Sequence, residues 1–106
     1  MEDLDRKDGK PFVHWLVTDM APKGYVLEHE VLSMSKVGKN GLGKGGFLPV
    51  EFYDPPHRMR VTFYALDKRL GLDTGFTRAD LDVAMKGHVE AEKTIDFLSP
   101  LKAAPN

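Results

Sequence analysis

Five side chains in this sequence are of types that do chemistry together: Asp3 and Asp5 in "EDLD", His14 in "FVHWLVT", and His57 with Arg58 in "DPPHR". The aspartates stand just before one β-type run, the histidine and arginine just before another, and His14 lies within the first. If those runs share a sheet with their N-terminal ends at the same edge, the acidic pair and both imidazoles converge on one small polar pocket. Carboxylates beside imidazoles favour the imidazolium form, whose N–H groups bind anions. Two imidazoles and two carboxylates are also a ligand set for a water-activating metal, as in metal-assisted hydrolysis. Each residue has a plainer reading: strand histidines pack in cores, and aspartates ahead of strands shape turns.

A second pattern is "GKNGLGKGG", residues 38 to 46. From Gly38 it follows the P-loop up to Lys44, with Gly45 where Ser or Thr belongs. From Gly41 it also fits G-x-G-x-x-G through Gly43 and Gly46. A P-loop needs a helix leaving the glycine turn, so that backbone N–H groups and the helix N-terminus face the phosphates. Here "FLPVEFYDPPH" follows, and Pro49, Pro55 and Pro56 break any helix there. The loop is expected to be a flexible surface segment, not a nucleotide site.

The elements that must position the five side chains are mostly strands. Residues 12 to 18 are rich in β-branched and aromatic residues and lie between Pro11 and Pro22, which predicts one buried strand. His14, Leu16 and Thr18 share one face; Val13, Trp15 and Val17 share the other. Residues 59 to 66 alternate in the same way. From 88 to 97, Val89, Ala91, Ile95 and Phe97 alternate with His88, Glu90, Glu92, Thr94 and Asp96, the pattern of a strand with one wet face. Between these strands Thr77 is placed as an N-cap, with Asp80 three residues on as a capping-box partner. Leu81, Ala84 and Met85 share a helical face, and Gly87 stands where the helix should stop. Trp15 is expected in the core, His88 at the helix C-terminal dipole, His29 without a partner, and the tail from Ser99 as a loose end.

The series "MEDLD", "FVHWLVTDM", "PPHRMRVTFYALDKRLGLDTG" and "LDVAMKGHVEAE" resembles the phosphatidylethanolamine-binding protein family, in its bacterial Raf-kinase-inhibitor-like branch. It is similar to that family's D-P-D-A-P segment, HW strand, G-x-HR segment, and L-x-x-A-M-x-G-H helix and last strand, in that order. The resemblance implies a β-sandwich with one short helix and a small pocket for phosphate-containing head groups or other anions, without enzymatic activity. It places Asp3 and Asp5 on the two aspartates of D-P-D, His14 on the pocket's strand histidine, and His57 with Arg58 on the HR pair. Leu4 replaces the family's proline, and Arg6 with Lys7 replaces Ala-Pro, which predicts a looser corner. Met59 stands where an aromatic commonly follows HR, and "GFLPV" keeps only Pro49 of G-P-x-P-P, so one pocket wall is altered. The resemblance further implies that the first strands are lacking and that residues 1–106 form the C-terminal portion of the family's single domain. Missing strands would uncover sheet edge and inner apolar face, which predicts low stability alone or a homodimer.

Composition narrows the rest. The chain has 106 residues, a formal net charge of −1 with scattered Lys and Arg, and no cysteine. A basic footprint for nucleic acid is missing, and thiol chemistry is excluded. No apolar run approaches the roughly 20 residues of a membrane span. The expectation is a cytoplasmic binding protein without a cofactor, its partner a phosphate-containing small molecule or lipid head group. A protein partner engaged through the loop from 36 to 56, with a vestigial pocket, is the alternative reading.

Overall fold

The structure is a computed structural model, and it describes residues 1–20 and 35–100. Along the chain come β1 (Glu2–Asp3), β2 (Phe12–Val13), β3 (Val17–Thr18), β4 (Lys36–Val37), β5 (Arg58–Leu66), α1 (Arg78–Met85) and β6 (Val89–Leu98). The four-stranded sheet has the order β2, β1, β5, β6, and β3 with β4 makes a two-stranded one. All pairings are antiparallel. Because β1 is antiparallel to both its neighbours, β2 and β5 run in the same direction and their N-terminal ends meet at one edge. Asp3 sits at that edge, opposite Phe12 on one side and Met59 on the other.

The helix forms where capping chemistry places it. Thr77 Oγ1 accepts from the Asp80 N–H at 3.1 Å, and Asp80 Oδ2 accepts from the Thr77 N–H at 3.0 Å. Two of the free donors at the helix start are thereby satisfied. Leu81 and Met85 turn inward onto Leu16 and Phe76, with Val13, Tyr64, Leu66, Leu70 and Leu72 packed around them. Gly87 leaves the helix at a φ of 81°, a left-handed value that costs glycine little. His88 does more than meet the helix dipole: its Nδ1 lies 2.9 Å from Asp67 Oδ1.

Three sequence expectations change. The run from 12 to 18 is not one strand but two short ones in different sheets. After Val13 the backbone turns away: the His14 and Trp15 N–H groups share the Met1 carbonyl, and the Leu16 carbonyl accepts from Gly38 in the other layer. The burial alternation survives the break, with His14, Leu16 and Thr18 buried and Val13, Trp15 and Val17 partly so. Trp15 is therefore not core; its ring meets exposed Phe47 edge-on at 5.5 Å. Strand β6 has no buried residue along its length. Its Ile95 and Phe97, with Phe63 of β5, form an exposed apolar face because nothing among the described residues packs over them. His29 falls outside the described residues.

The glycine loop is also tighter than a flexible surface segment. Buried Asn40 organises it: Oδ1 accepts from the Leu42 and Lys44 N–H groups at 3.0 and 3.4 Å, and Lys39 bridges Gly45. No helix follows it before α1. The Gly41 N–H donates to the Val13 carbonyl at 2.8 Å, and a methyl group at Gly41 would run into the Phe12 ring. Gly45 has open space around it. Gly41→Ala is expected to lower stability by about 1–3 kcal/mol through overpacking, and Gly45→Ala to change it by less than about 0.5 kcal/mol. Chemical denaturation of the two variants checks this; equal stabilities would contradict the close approach to Phe12.

Candidate functional site

Asp3 is fully buried, which for a carboxylate requires that both oxygens find donors. Oδ1 accepts from the Asp5 N–H at 2.9 Å, an Asx-type turn that bends the chain as it leaves β1. Oδ2 lies 2.8 Å from His57 Nδ1. A carboxylate only accepts, so Nδ1 carries the proton, and the other ring nitrogen, Nε2, is left facing away from Asp3.

His57 is held on three further sides. Its N–H donates to Ser99 Oγ and its carbonyl accepts from the Ser99 N–H, both at 2.8 Å. Ser99 is buried, so the tail begins as a structural clamp and not as a loose end. The Tyr53 ring lies on the imidazole at 3.6 Å between centroids and 6° between planes. The aromatic wall expected after HR is thus supplied from the preceding loop, while Met59 is wholly buried.

Asp5 and Arg58 form a separate pair. Asp5 Oδ2 accepts from the Arg58 backbone N–H at 2.7 Å, and the guanidinium Nη2 donates to Oδ1 at 2.8 Å. Those bonds to the Arg58 side chain and backbone hold the Asp5 carboxyl down at about 2. The charge on Arg58 is therefore already matched.

His14 is placed differently from the expected partner of the aspartates. Its Nδ1 donates to the Leu48 carbonyl at 2.9 Å, and its ring meets Phe12 edge-on at 5.6 Å. Its Nε2 is buried and has no hydrogen-bond partner among the described residues. The link from His14 to His57 runs through Arg6. The guanidinium carbon stands 3.9 Å above the centre of the Phe12 ring, and Nη1 donates to Tyr53 Oη at 3.1 Å. The corner after Asp5 is consequently not loose; Arg6 spans it.

The structure thus joins Asp3 to His57 and Asp5 to Arg58, and connects His14 to them through aromatic rings. Tyr53, Ser99 and Arg6 are additions that spacing did not supply. An aromatic residue four positions before His57, across the Pro55 and Pro56 turn, was the available signal for Tyr53. Among the described residues no group of three histidine or carboxylate side chains is arranged to hold a metal ion. The set read for metal-assisted hydrolysis is not brought together: Asp3 and His57 bond each other, Asp5 holds Arg58, and His14 holds the Leu48 carbonyl. Among the same residues no helix is long and apolar enough to cross a membrane.

A sequence model of the family described as phosphatidylethanolamine-binding protein matches residues 1–99. The chain is 34% identical over 86 residues to a UPF0098 protein of Chlamydia trachomatis, covering 81% of this chain and 57% of that protein. It is 32% identical over 89 residues to a UPF0098 protein of Methanothermobacter thermautotrophicus, covering 78% and 59%. The chain thus spans less than three fifths of the length of these curated relatives. Among solved structures it is similar to a phosphatidylethanolamine-binding protein homologue, CT736, from C. trachomatis, with a TM-score of 0.76 and 29% identity over 93% of this chain and 67% of that one. E. coli YbcL, at 20% identity, has the same fold, with a TM-score of 0.74 over 95% of this chain and 68% of its own.

Two outcomes follow from the carboxylates. Asp3→Ala leaves His57 without its acceptor and the turn without its cap, and is expected to cost on the order of 3 kcal/mol, read by chemical denaturation. For Asp5 the folded value lies below the ordinary aspartate value of 3.8, so the pair's stabilisation is present at neutral pH and is lost as the pH falls through about 2. Carboxyl-detected NMR should find Asp5 titrating near about 2, and moving back toward 3.8 in Arg58→Ala. No movement in that variant would contradict the pairing.

Proposed function

The chain belongs to the phosphatidylethanolamine-binding protein family, and on that premise we propose that it is a non-enzymatic binding protein whose pocket takes phosphate-containing head groups or other small anions. The observation that carries this is the buried Asp3 behind His57. Asp3 takes one ring nitrogen at 2.8 Å and leaves Nε2 available, while the stacked Tyr53 fixes the plane of the ring. With the imidazole protonated, Nε2–H is a donor oriented in this way and binds an anionic oxygen without the cost of ordering its side chain.

His14 supports the same reading. Its Nε2, buried and without a partner among the described residues, is costly unless something polar meets it, and it meets an anion as an N–H when the imidazole is protonated. Catalysis is not supported to the same degree, because among the described residues no nucleophile backed by a general base and facing oxyanion donors is assembled around His57.

A second reading has its own observation. Leu42, Phe47 and Phe52 are exposed along the loop from 36 to 56. Exposed apolar residues of this kind suit a protein partner. That role would persist in a His57 variant, whereas anion binding would not.

The test is an NMR titration of the chain with phosphorylethanolamine, following the imidazole signals of His14 and His57. The expected result is a saturable shift of His57 with His14 moving alongside, and a loss of affinity of about tenfold or more in His57→Ala, the scale of one charge-assisted hydrogen bond. Histidine signals that ignore the ligand, or a His57→Ala variant that binds as well as the parent, would overturn the proposal.

A further inference from the structure

Resting on the pocket proposed above, we infer that Arg6 selects its ligand. The site takes a phosphate monoester, which carries nearly two negative charges at neutral pH, in preference to a phosphodiester, which carries one.

The inference comes from how positive charge is distributed around His57. Arg58 lies next to that histidine in sequence, but its guanidinium is bound to Asp5 at 2.8 Å. Arg60 is bound in the same way to Asp96, and Arg78 to Asp82. Arg6 has no carboxylate within ion-pair distance among the described residues. Of its five N–H donors, one goes to Tyr53 Oη. It is the arginine near His57 whose charge no carboxylate among the described residues matches.

Arg6 is also held in place. Its guanidinium lies over Phe12 at 3.9 Å, and the Phe12 ring is backed by Gly41, where even a methyl group would collide. Its hydrogen bond to Tyr53 ties it to the ring that stacks on His57. A long cationic side chain usually loses rotamer freedom on binding, and here that loss has been met by the fold. The guanidinium fork matches a pair of phosphate oxygens, and His57, stacked on the Tyr53 ring that Arg6 bonds, adds Nε2–H as a further donor when its imidazole is protonated. Attraction to one fixed cation grows in proportion to the ligand's charge. Discrimination between monoester and diester should therefore reside in Arg6. A phospholipid carries its head group as a diester, so the preferred ligand is the free phosphate monoester.

Calorimetric titrations of the chain with phosphorylethanolamine, inorganic phosphate and glycerophosphoethanolamine test this, each with the parent, Arg6→Gln and Arg6→Lys. The parent is expected to bind phosphorylethanolamine about tenfold more tightly than glycerophosphoethanolamine, the scale of one added charge contact. Arg6→Gln should remove most of that preference, chiefly by weakening the monoester. Arg6→Lys, which keeps the charge without the fork, should fall between. Inorganic phosphate should show the same dependence on Arg6. Equal affinities of the parent for monoester and diester, a preference that survives Arg6→Gln, or a dependence confined to phosphorylethanolamine would overturn the inference. If binding needs His57 but is indifferent to Arg6, the inference fails and the pocket reading stands; if the parent binds none of the three, both fail.

Discussion

A carboxylate with no solvent exposure is the constraint on which this site rests. Removing Asp3 from water costs several kcal/mol unless donors replace the lost hydration. The chain supplies them from two directions, the Asp5 N–H two residues on and the imidazole of His57. These bonds require β1 to lie between β2 and β5, with Asp3 facing Phe12 and Met59 across the ladder. Backbone pairing therefore delivers the carboxylate to the histidine, and the carboxylate then decides which imidazole nitrogen is left for other use. The Ser99 clamp and the Tyr53 stack act on the same ring from the backbone and the face.

Charge around the ring is partitioned by the same few residues. Asp5 matches Arg58 and Asp3 supports His57, while Arg6 is braced by aromatic rings. The arginine beside the histidine in sequence is thus electrically occupied, while the one across the turn has no acid partner among the described residues. The glycine loop takes part as well, since its close approach at Gly41 supports the ring on which Arg6 rests.

Much of this was legible in the residues. Alternation marked β5 and β6, and Thr77, Asp80 and Gly87 marked both ends of α1, because strand faces and helix caps are local signals. Asp3, Asp5, His57 and Arg58 could be grouped from their places at strand entrances. Their pairing, Asp3 with His57 and Asp5 with Arg58, could not, since it depends on which face each side chain leaves by. Tyr53, Ser99 and Arg6 come from segments without a periodic pattern, so nothing local pointed them at His57. The break at His14 was hidden because the burial alternation from Val13 to Thr18 runs through it unchanged. The exposure of β6 was equally hidden: the pattern of a strand states which face prefers burial, not whether anything covers it.

The most direct measurement of the central claim, that buried Asp3 holds His57 by Nδ1 and frees Nε2, is the tautomeric state of that ring. A long-range proton–nitrogen correlation spectrum, recorded at a pH where the imidazoles are neutral, reports it without a ligand. The account predicts that His57 carries its proton on Nδ1, with a slowly exchanging signal that disappears in Asp3→Ala. A proton found on Nε2, or the same tautomer with an unchanged signal after Asp3 is removed, would contradict it.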